Sequence, residues 1–533
     1  MAFQPRLNKF WGWGTPTDLV TAEERSLVGM LARHRFDVLE PPVPPIPGRD
    51  IALSAPRVAI PEPLAAIFSV GREDRLAHAS GKSFSDLARA RRGQIDHAPD
   101  VVAYPASEGD VTAVLDWASD VGVAVVPYGG GSSVVGGVTP AVDGAFAGVV
   151  SLDLQRMDRV IEVDPVSLAA RVQAGVLGPS LAEQLAASSL VLRHYPQSYQ
   201  HSSLGGWIAT RAGGHYATLH THIDDFVESV RMVTPAGALE TRRLPASGAG
   251  PDPNRLVIGS EGALGVITES WIRLQRRPSF RAGAVARFGS FADAVAAVRS
   301  IAQSGLYPAN LRLLDRVEAM NSLVADGTVD VLVIGFESAD HDVRPLLDRA
   351  SECCRDHGGT VDVDPPASEA ARGSGMAQTW RNSFIRMPHL RDELLGYGII
   401  SETCETAVTW NRLETLHANV TESVTQALAD AGLTPCSVSC RFTHVYPDGV
   451  APYFTVMAKG RGQDLDRQWW DIKQVASEAI IDAGGTITHH HAVGRDHMPW
   501  YRRERADLFG TALAGARAAL DPAGIMNPGV LVP

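Results

Sequence analysis

The stretch Val123 to Thr139 reads VAVVPYGGGSSVVGGVT: a β-branched run ends at Pro127, and Gly129, Gly130, Gly131, Ser132 and Ser133 follow. Glycines let the backbone turn with positive φ and approach a ligand closely. Successive N–H groups in such a turn form an anion-binding concavity, and two serine hydroxyls add donors. The guest that suits this loop is a pyrophosphate. A Rossmann fingerprint would open a helix and place an acid about twenty residues on, but an apolar, Gly-rich run follows Ser133. A Walker loop would carry Gly-Lys-Ser/Thr, and no Lys is present in this stretch.

Two further stretches share this texture. Tyr195 to Gly214, YPQSYQHSSLGGWIATRAGG, carries Pro196, Ser198, Ser202, Ser203, Gly205, Gly206, Thr210, Gly213 and Gly214. Leu256 to Ile267, LVIGSEGALGVI, reads as a strand that meets Gly259, Ser260, Glu261, Gly262 and Gly265, then resumes as a strand with Val266 and Ile267. Glycine and hydroxyl residues at this density suit backbone wrapped on a polar ligand.

The elements that must hold these loops alternate between α and β. Val101, Val102 and Tyr104 mark a strand, Glu108 to Asp120 an amphipathic helix, and Val123 to Val126, Gly148 to Asp153 and Ala169 to Ala174 further strands. Leu177 to Ala187 reads as a helix. After Arg277 the glycine clusters cease. Helices at 290–304, 343–357 and 463–483 then alternate with strands at 329–337, 442–446 and 453–458, which predicts a second domain with an antiparallel sheet and helices on one face. A helix is expected at 502–520 before the tail LDPAGIMNPGVLVP. Towards the N-terminus, KFWGWG is expected to pack on the body, Glu40 to Pro47 to be an extended linker, and Arg75 to Arg92 to be a solvated helix face.

With 533 residues, two or three domains are expected. A net charge of −12 disfavours general nucleic-acid binding, although a local basic pocket for a phosphate is compatible with it. Five Cys at irregular spacing argue against a disulfide framework and for a reducing compartment. No signal peptide or transmembrane run is expected, so the expected location is cytoplasmic, with peripheral membrane contact compatible with it.

PYGGGSS, IGSEGALGVIT and DPAGIMNPG, in this order, resemble the vanillyl-alcohol-oxidase-type flavoproteins, which bind FAD in an α+β domain. Within them, the chain resembles the alkyldihydroxyacetonephosphate synthase family from roughly Phe10 onward. FWGWG, PDVVAYP, SSLGGWIATRAGG, DDFVESVRMVTPAG, HLRDELLGYGIISETCETAVTW, RFTHVYPDGVAPYFTVMAKGRG and GGTITHHHAVG carry this likeness. The resemblance implies an α+β fold with a two-subdomain FAD-binding domain and a cap domain. The expected division is an N-terminal extension (1–97), an FAD-binding domain (98–277), a substrate-binding cap (278–500) and a C-terminal segment returning to the FAD domain (501–533).

The resemblance also implies a reaction without net redox change, in which acyl-dihydroxyacetonephosphate exchanges its acyl group for a long-chain alcohol through a flavin N5 adduct. Tyr453 matches the family's active-site tyrosine and His489, His490 and His491 its His-His-His run. Arg391 and Arg441 match arginines associated with the phosphate and the active-site architecture. Those types fit the chemistry: carbanion formation beside a carbonyl needs a base and an acid, and a phosphate dianion suits the planar arginine fork. On a strand, neighbouring side chains alternate, so either His489 with His491, or His490 alone, would face the flavin. FAD is expected to be noncovalent, the substrates lipids and the protein a homodimer.

The alternative is an FAD-dependent oxidase or dehydrogenase of a 2-hydroxy acid or alcohol. The metal-dependent hydroxyacid enzymes carry H-x-G-D-G-N-x-H and later E-H-G-x-G. Here His444 begins HVYPDG with no second His, and His490 holds the acidic position, so no metal is expected. A noncatalytic FAD-binding protein would have broken active-site positions, and Tyr453, Arg441 and the His run are intact. The chain departs from the family at GHYATLHTH, which adds His215, His220 and His222, and at Glu405 to Trp410.

Overall fold

The structure, a computed structural model, describes residues 3–322, 324–364 and 376–532. Among these, a four-stranded sheet runs in the order Phe68–Ser69, Val101–Ala103, Gly148–Asp153, Val123–Tyr128, and the last three are parallel. The central strands are buried on both faces, so they read as continuous apolar runs. Helix Glu108–Val121 begins at a capping box between Ser107 and Asp110. It buries Val111, Val114, Leu115 and Ala118.

A second, antiparallel sheet follows in the order Val160–Asp164, Ala169–Gln173, Val266–Arg273, Val227–Thr234, Gly237–Glu240. Both sheets share one apolar core, in which Val101, Val125 and Val150 join Val172, Val230 and Val266. Ile525 and Met526 belong to that core too. The tail reaches it by pairing with Val125, whose N–H donates to the Ile525 carbonyl and whose carbonyl accepts from the Asn527 N–H, both at 2.8 Å.

The third sheet has eight antiparallel strands: Thr360–Val363, Phe280–Phe288, Asp330–Ser338, Asn310–Leu314, Cys436–Val445, Gly449–Lys459 and Ile399–Glu405 in sequence across the sheet, with Val408–Thr409 added against Gly449–Lys459. Residues on alternate positions of a strand face opposite ways. Phe442, Phe454, Val456, Ile400 and Cys404 therefore point into the core under helices Phe291–Gln303, Leu413–Asp430 and Leu465–Asp482. Arg441, Thr443, Tyr453, Thr455, Ser401, Thr403 and Arg312 point the other way and line a cavity. The fold is α+β.

Four sequence expectations need correction. Residues 75–92 form two helices, Arg72–Ala77 and Phe84–Arg91, and they are not a solvated face. Arg75 is buried and donates to the carbonyls of Pro99 and Ser54, while Phe84 stacks near Trp469; long arginine stems and capped backbone made a buried surface look polar. The expected strand before Gly259 is a short helix, Asn254–Val257. The expected helix at 502–520 is two helices, Met498–Glu504 and Asp507–Leu520, broken where Arg505 takes an extended conformation. The histidine run is not a strand, as described next.

Candidate active site

A cavity of about 500 Å³ lies between the glycine loops and the open face of the large sheet. Gly129, Gly130, Gly131, Ser132 and Ser133 line one end, with Pro196, Ser198, Ser202, Ser203, Gly206 and Thr210 beside them. The two loops press together backbone to backbone. A methyl group on Gly130 would overlap the His201 carbonyl and lie 2.8 Å from the Ser202 Cα. Gly130→Ala should therefore force the loops apart, and purified variant protein should retain less than about a tenth of the wild-type flavin per chain by absorbance. Wild-type flavin content in this variant would show that the loop contact is dispensable.

Opposite this end, register sets the polar floor. Arg441 pairs across the sheet with Tyr453, and Tyr453 with Glu405, so three adjacent strands present an arginine, a tyrosine and a carboxylate in one row. The Arg441 guanidinium carbon sits 3.8 Å from the Tyr453 ring centroid and pairs with Glu318, both ends being buried. Burial pushes Arg441 down, but Glu318 and Tyr453 outweigh it and hold its pKa up. Burial raises the Tyr453 hydroxyl, with Arg441 opposing. Arg312, one strand further, donates towards the Thr443 carbonyl and His215. Burial, then the charge on Arg441, bring it down to about 9. Two guanidiniums beside one carboxylate make this floor a place for an anion.

The histidines gather at the end of that row. Residues 489–491 form bends wrapped on the Glu405 carboxylate, which accepts the N–H of His489 at 2.7 Å, His490 at 3.1 Å and His491 at 2.9 Å, and the Thr488 hydroxyl. The Glu405 side chain is 1% exposed. Burial would raise its pKa, but the neighbouring imidazoles hold it well below the usual carboxylate range. Because the chain turns rather than extends, His490 and His491 both line the cavity, contrary to the alternation expected for a strand. Their rings lie 6.1 and 5.7 Å from that of Tyr453. His489 points away, to His222 at 3.0 Å and the Tyr446 hydroxyl at 2.9 Å. His444 reaches the cavity beside Thr443 through a β-bulge between Phe442 and His444. Burial keeps His444, His489 and His491 well below the ordinary imidazole range, so they are neutral.

The other end of the cavity is apolar. Leu27, Val28 and Leu31 of helix Ala22–Phe36 face Met387, Leu390 and Leu394 of helix Met376–Gly396, with Met457 between. Arg391 lines the cavity on the latter helix and reaches the Lys82 carbonyl at 3.4 Å.

The structure thus brings Tyr453, His490, His491, Arg391 and Arg441 together with the first two glycine stretches, including Gly213 and Gly214. His489 stands behind this surface. Pro127, Gly205, Glu261, Gly262, Gly265, Val266 and Ile267 are not on the cavity wall. Gly262 packs against the Pro127 ring and Gly205 against Ala174. Val266 and Ile267 begin a strand. The buried Glu261 carboxylate accepts the N–H groups of Val493 and Gly494 and so ties the histidine segment to the third glycine stretch; burial raises its pKa to about 7. Glu405, Arg312, Glu318, His222 and His444 were missed as site residues. The period-two spacing of Ser401, Thr403 and Glu405 was the available signal for the first; pairing of distant strands supplied the others.

FAD fits this cavity on the donor set alone: glycine backbone and five serine hydroxyls at one end suit a pyrophosphate, and the adjoining polar floor leaves room for a ring system. The comparisons agree. Residues 99–242 match the family model for the FAD binding domain and residues 277–531 that for the C-terminal domain of FAD linked oxidases. The alkyldihydroxyacetonephosphate synthase of Dictyostelium discoideum is 32% identical over 86% of this chain and 77% of its own. That of Trypanosoma brucei brucei is 31% identical over the same shares. The mitochondrial D-lactate dehydrogenase [cytochrome] of Arabidopsis thaliana is 28% identical over 82% and 74%. A solved alkyldihydroxyacetonephosphate synthase structure superposes with a TM-score of 0.80 at 25% identity, covering 98% of both chains. P-cresol methylhydroxylase shares the fold, with a TM-score of 0.66 at 13% identity over 96% and 97%. A glycine-loop cradle, a row of arginine, tyrosine and histidine beside it, and these relatives over most of the length lead to one assignment: the chain belongs to the FAD-dependent alkyldihydroxyacetonephosphate synthase family.

Proposed function

We propose that this protein exchanges the acyl group of acyl-dihydroxyacetonephosphate for a long-chain alkoxy group, with noncovalently bound FAD. One observation carries the reading: a single cavity joins a floor with two guanidiniums and histidines to an apolar wall of leucines and methionines. A phosphate with a long alkyl tail needs both. Arg441 and Arg312 hold the phosphate dianion, which also relieves their mutual repulsion. His490 and His491 move the proton on the carbon beside the ketone, and Tyr453 orients the carbonyl. Arg391 closes the floor where it meets the apolar wall. The glycine loops and their serines would hold FAD, and the bound cofactor would supply an electron-accepting ring beside this floor.

Among the described residues, no helix is long and apolar enough to cross a membrane. The helix that walls the apolar end exposes Leu27 and Met30, with Leu19 preceding it, and these side chains support peripheral contact with lipid, readable by co-sedimentation with vesicles. A homodimer is proposed on the family likeness and is readable by light scattering.

Anaerobic titration tests the reaction. Palmitoyl-dihydroxyacetonephosphate should bleach the oxidised flavin band, and ether product should form once hexadecanol is added. Bleaching by D-lactate, glycolate or a simple alcohol, reversed by oxygen, would instead mean a dehydrogenase or oxidase. Acid precipitation should release all yellow colour to the supernatant; colour held in the pellet would mean a covalent bond.

A further inference from the structure

Leu27, Leu31 and Arg35 stand four residues apart on helix Ala22–Phe36, and all three line the cavity, because residues at that spacing share one helix face. The stripe runs through the apolar end and finishes on a guanidinium. Arg35 marks the junction with the polar floor. One of its N–H groups donates to the side-chain oxygen of Asn321, and Asn321 lies three residues beyond Glu318 on helix Arg316–Asn321.

Arg35 is half-buried. Burial presses its pKa down, and the charge on Glu318 opposes this, but Glu318 is already paired with Arg441 and accepts the Ser439 hydroxyl. Among the described residues, no carboxylate forms an ion pair with Arg35. A guanidinium keeps its proton in a protein, and a charge drawn out of water calls for a counter-ion. The Asn321 Nδ2 is also buried and without a hydrogen-bond partner among the described residues, so a second donor belongs to the same pair of side chains. The apolar wall thus ends in a cation that lacks an anion. We propose that Arg35, with Asn321 beside it, holds the carboxylate of the long-chain fatty acid released in the exchange, its chain lying along Leu31 and Leu27.

The class of ligand follows from the products. The bond between the acyloxy oxygen and the dihydroxyacetone carbon breaks, and its electron pair leaves on the carboxylate. The alcohol oxygen bonds to that carbon and gives up its proton. One cavity therefore meets two anions, a phosphate and a carboxylate. Arg441 and Arg312 serve the phosphate on the floor, and Arg35 heads the wall that suits a chain. The two long chains are then told apart by charge: the fatty acid uses Arg35, and the uncharged alcohol does not. The choice of a fatty carboxylate rests on the proposed function; the missing counter-ion does not.

Equilibrium dialysis of labelled palmitate and, separately, labelled hexadecanol against the flavin-loaded protein tests this without turnover. Arg35→Gln should weaken palmitate binding at least about tenfold, as expected for a lost hydrogen bond to a charged group, and leave hexadecanol within about twofold of wild type. Arg35→Lys, which keeps the charge but not the fork, should recover part of the palmitate affinity. If Arg35→Gln fails to fold, Asn321→Asp makes the test from the facing helix: a carboxylate beside Arg35 neutralises it and should also weaken palmitate alone. Absence of palmitate binding by wild type, or equal palmitate binding by wild type and variants, would overturn the proposal. Equal loss of palmitate and hexadecanol would overturn it too, since packing rather than charge would then be at stake. Loss of dihydroxyacetone phosphate binding in Arg35→Gln, with palmitate unaffected, would assign the guanidinium to the phosphate instead. None of these readings depends on ether formation, so failure here leaves the synthase reading intact, and absence of ether product leaves the fatty-acid site measurable.

Discussion

Replacing Glu405 by Gln should lower kcat by about 100-fold or more while flavin stays bound. Glu405 does not line the cavity. It positions His490 and His491 by accepting three successive backbone N–H groups and the Thr488 hydroxyl. Hydrogen bonds to a buried charge contribute roughly 1.5–3 kcal/mol each. Glutamine keeps the shape but turns one acceptor into a donor that faces N–H groups. A 100-fold loss corresponds to about 2.7 kcal/mol, within reach of losing one or two of these bonds. The fall should be in kcat rather than KM, because Arg441 and Arg312, the proposed phosphate ligands, are untouched. The acid limb of the pH–rate profile should also move, since the imidazoles lose their only adjacent carboxylate among the described residues. Activity within threefold of wild type, with an unmoved profile, would show that the histidines hold their places without it.

Mild acid should unfold this protein unusually early. Burial lowers His194 and His497 to about 3, and His201, His220, His222 and His389 to about 4. His444, His489 and His491 lie well below their usual range for the same reason. Each is neutral when folded and takes a proton when unfolded once the pH drops below about 6.5. The unfolded state then binds more protons, so stability falls as pH falls from about 6.5 towards 4. Five carboxyls oppose this. Burial raises Asp86, and lifts Glu261, Asp315 and Asp496 to about 7 and Asp392 to about 6. Glu261, Asp315, Asp496 and Asp392 take up protons in the folded state over the same window. The imidazoles outnumber the opposing carboxyls, and each surplus proton bound by the unfolded state contributes about 1.4 kcal/mol per pH unit. Total stability is usually of order 5–15 kcal/mol. Between pH 7 and 5.5 the melting temperature should drop by at least about 5 °C, with flavin released. A melting temperature constant over that range would mean that these histidines are solvated.

The glycine stretches, the α/β alternation around them and the antiparallel sheet of the second domain were legible because each rests on local information. Strand periodicity and turn residues are written in windows of a few residues, and a loop such as Gly129–Ser133 needs its glycines wherever it folds. The errors have equally physical origins. Arg75 and its neighbours read as solvated from the sequence because charge alone does not reveal that a guanidinium is satisfied by two backbone carbonyls inside the protein. The third glycine stretch shows a related limit: Gly262 packs against Pro127 and Glu261 reaches to Val493 and Gly494, contacts that composition does not reveal.

The sequence by itself determined the elements, the loop that suits a pyrophosphate, and the residue types available for acid–base and phosphate chemistry. Tertiary structure decided which of them meet. Cross-strand register put Glu405, Tyr453 and Arg441 in one row, although they come from separate strands. A bulge aimed His444 into the cavity, and Glu405 bent the histidine run so that two neighbours face one way. Helix Ala22–Phe36 became a wall of the site from a segment that reads as an extension. The reason is common to all four: local preferences act between residues near in sequence, whereas the burial of one carboxylate or one apolar face is satisfied only by partners that the whole fold delivers.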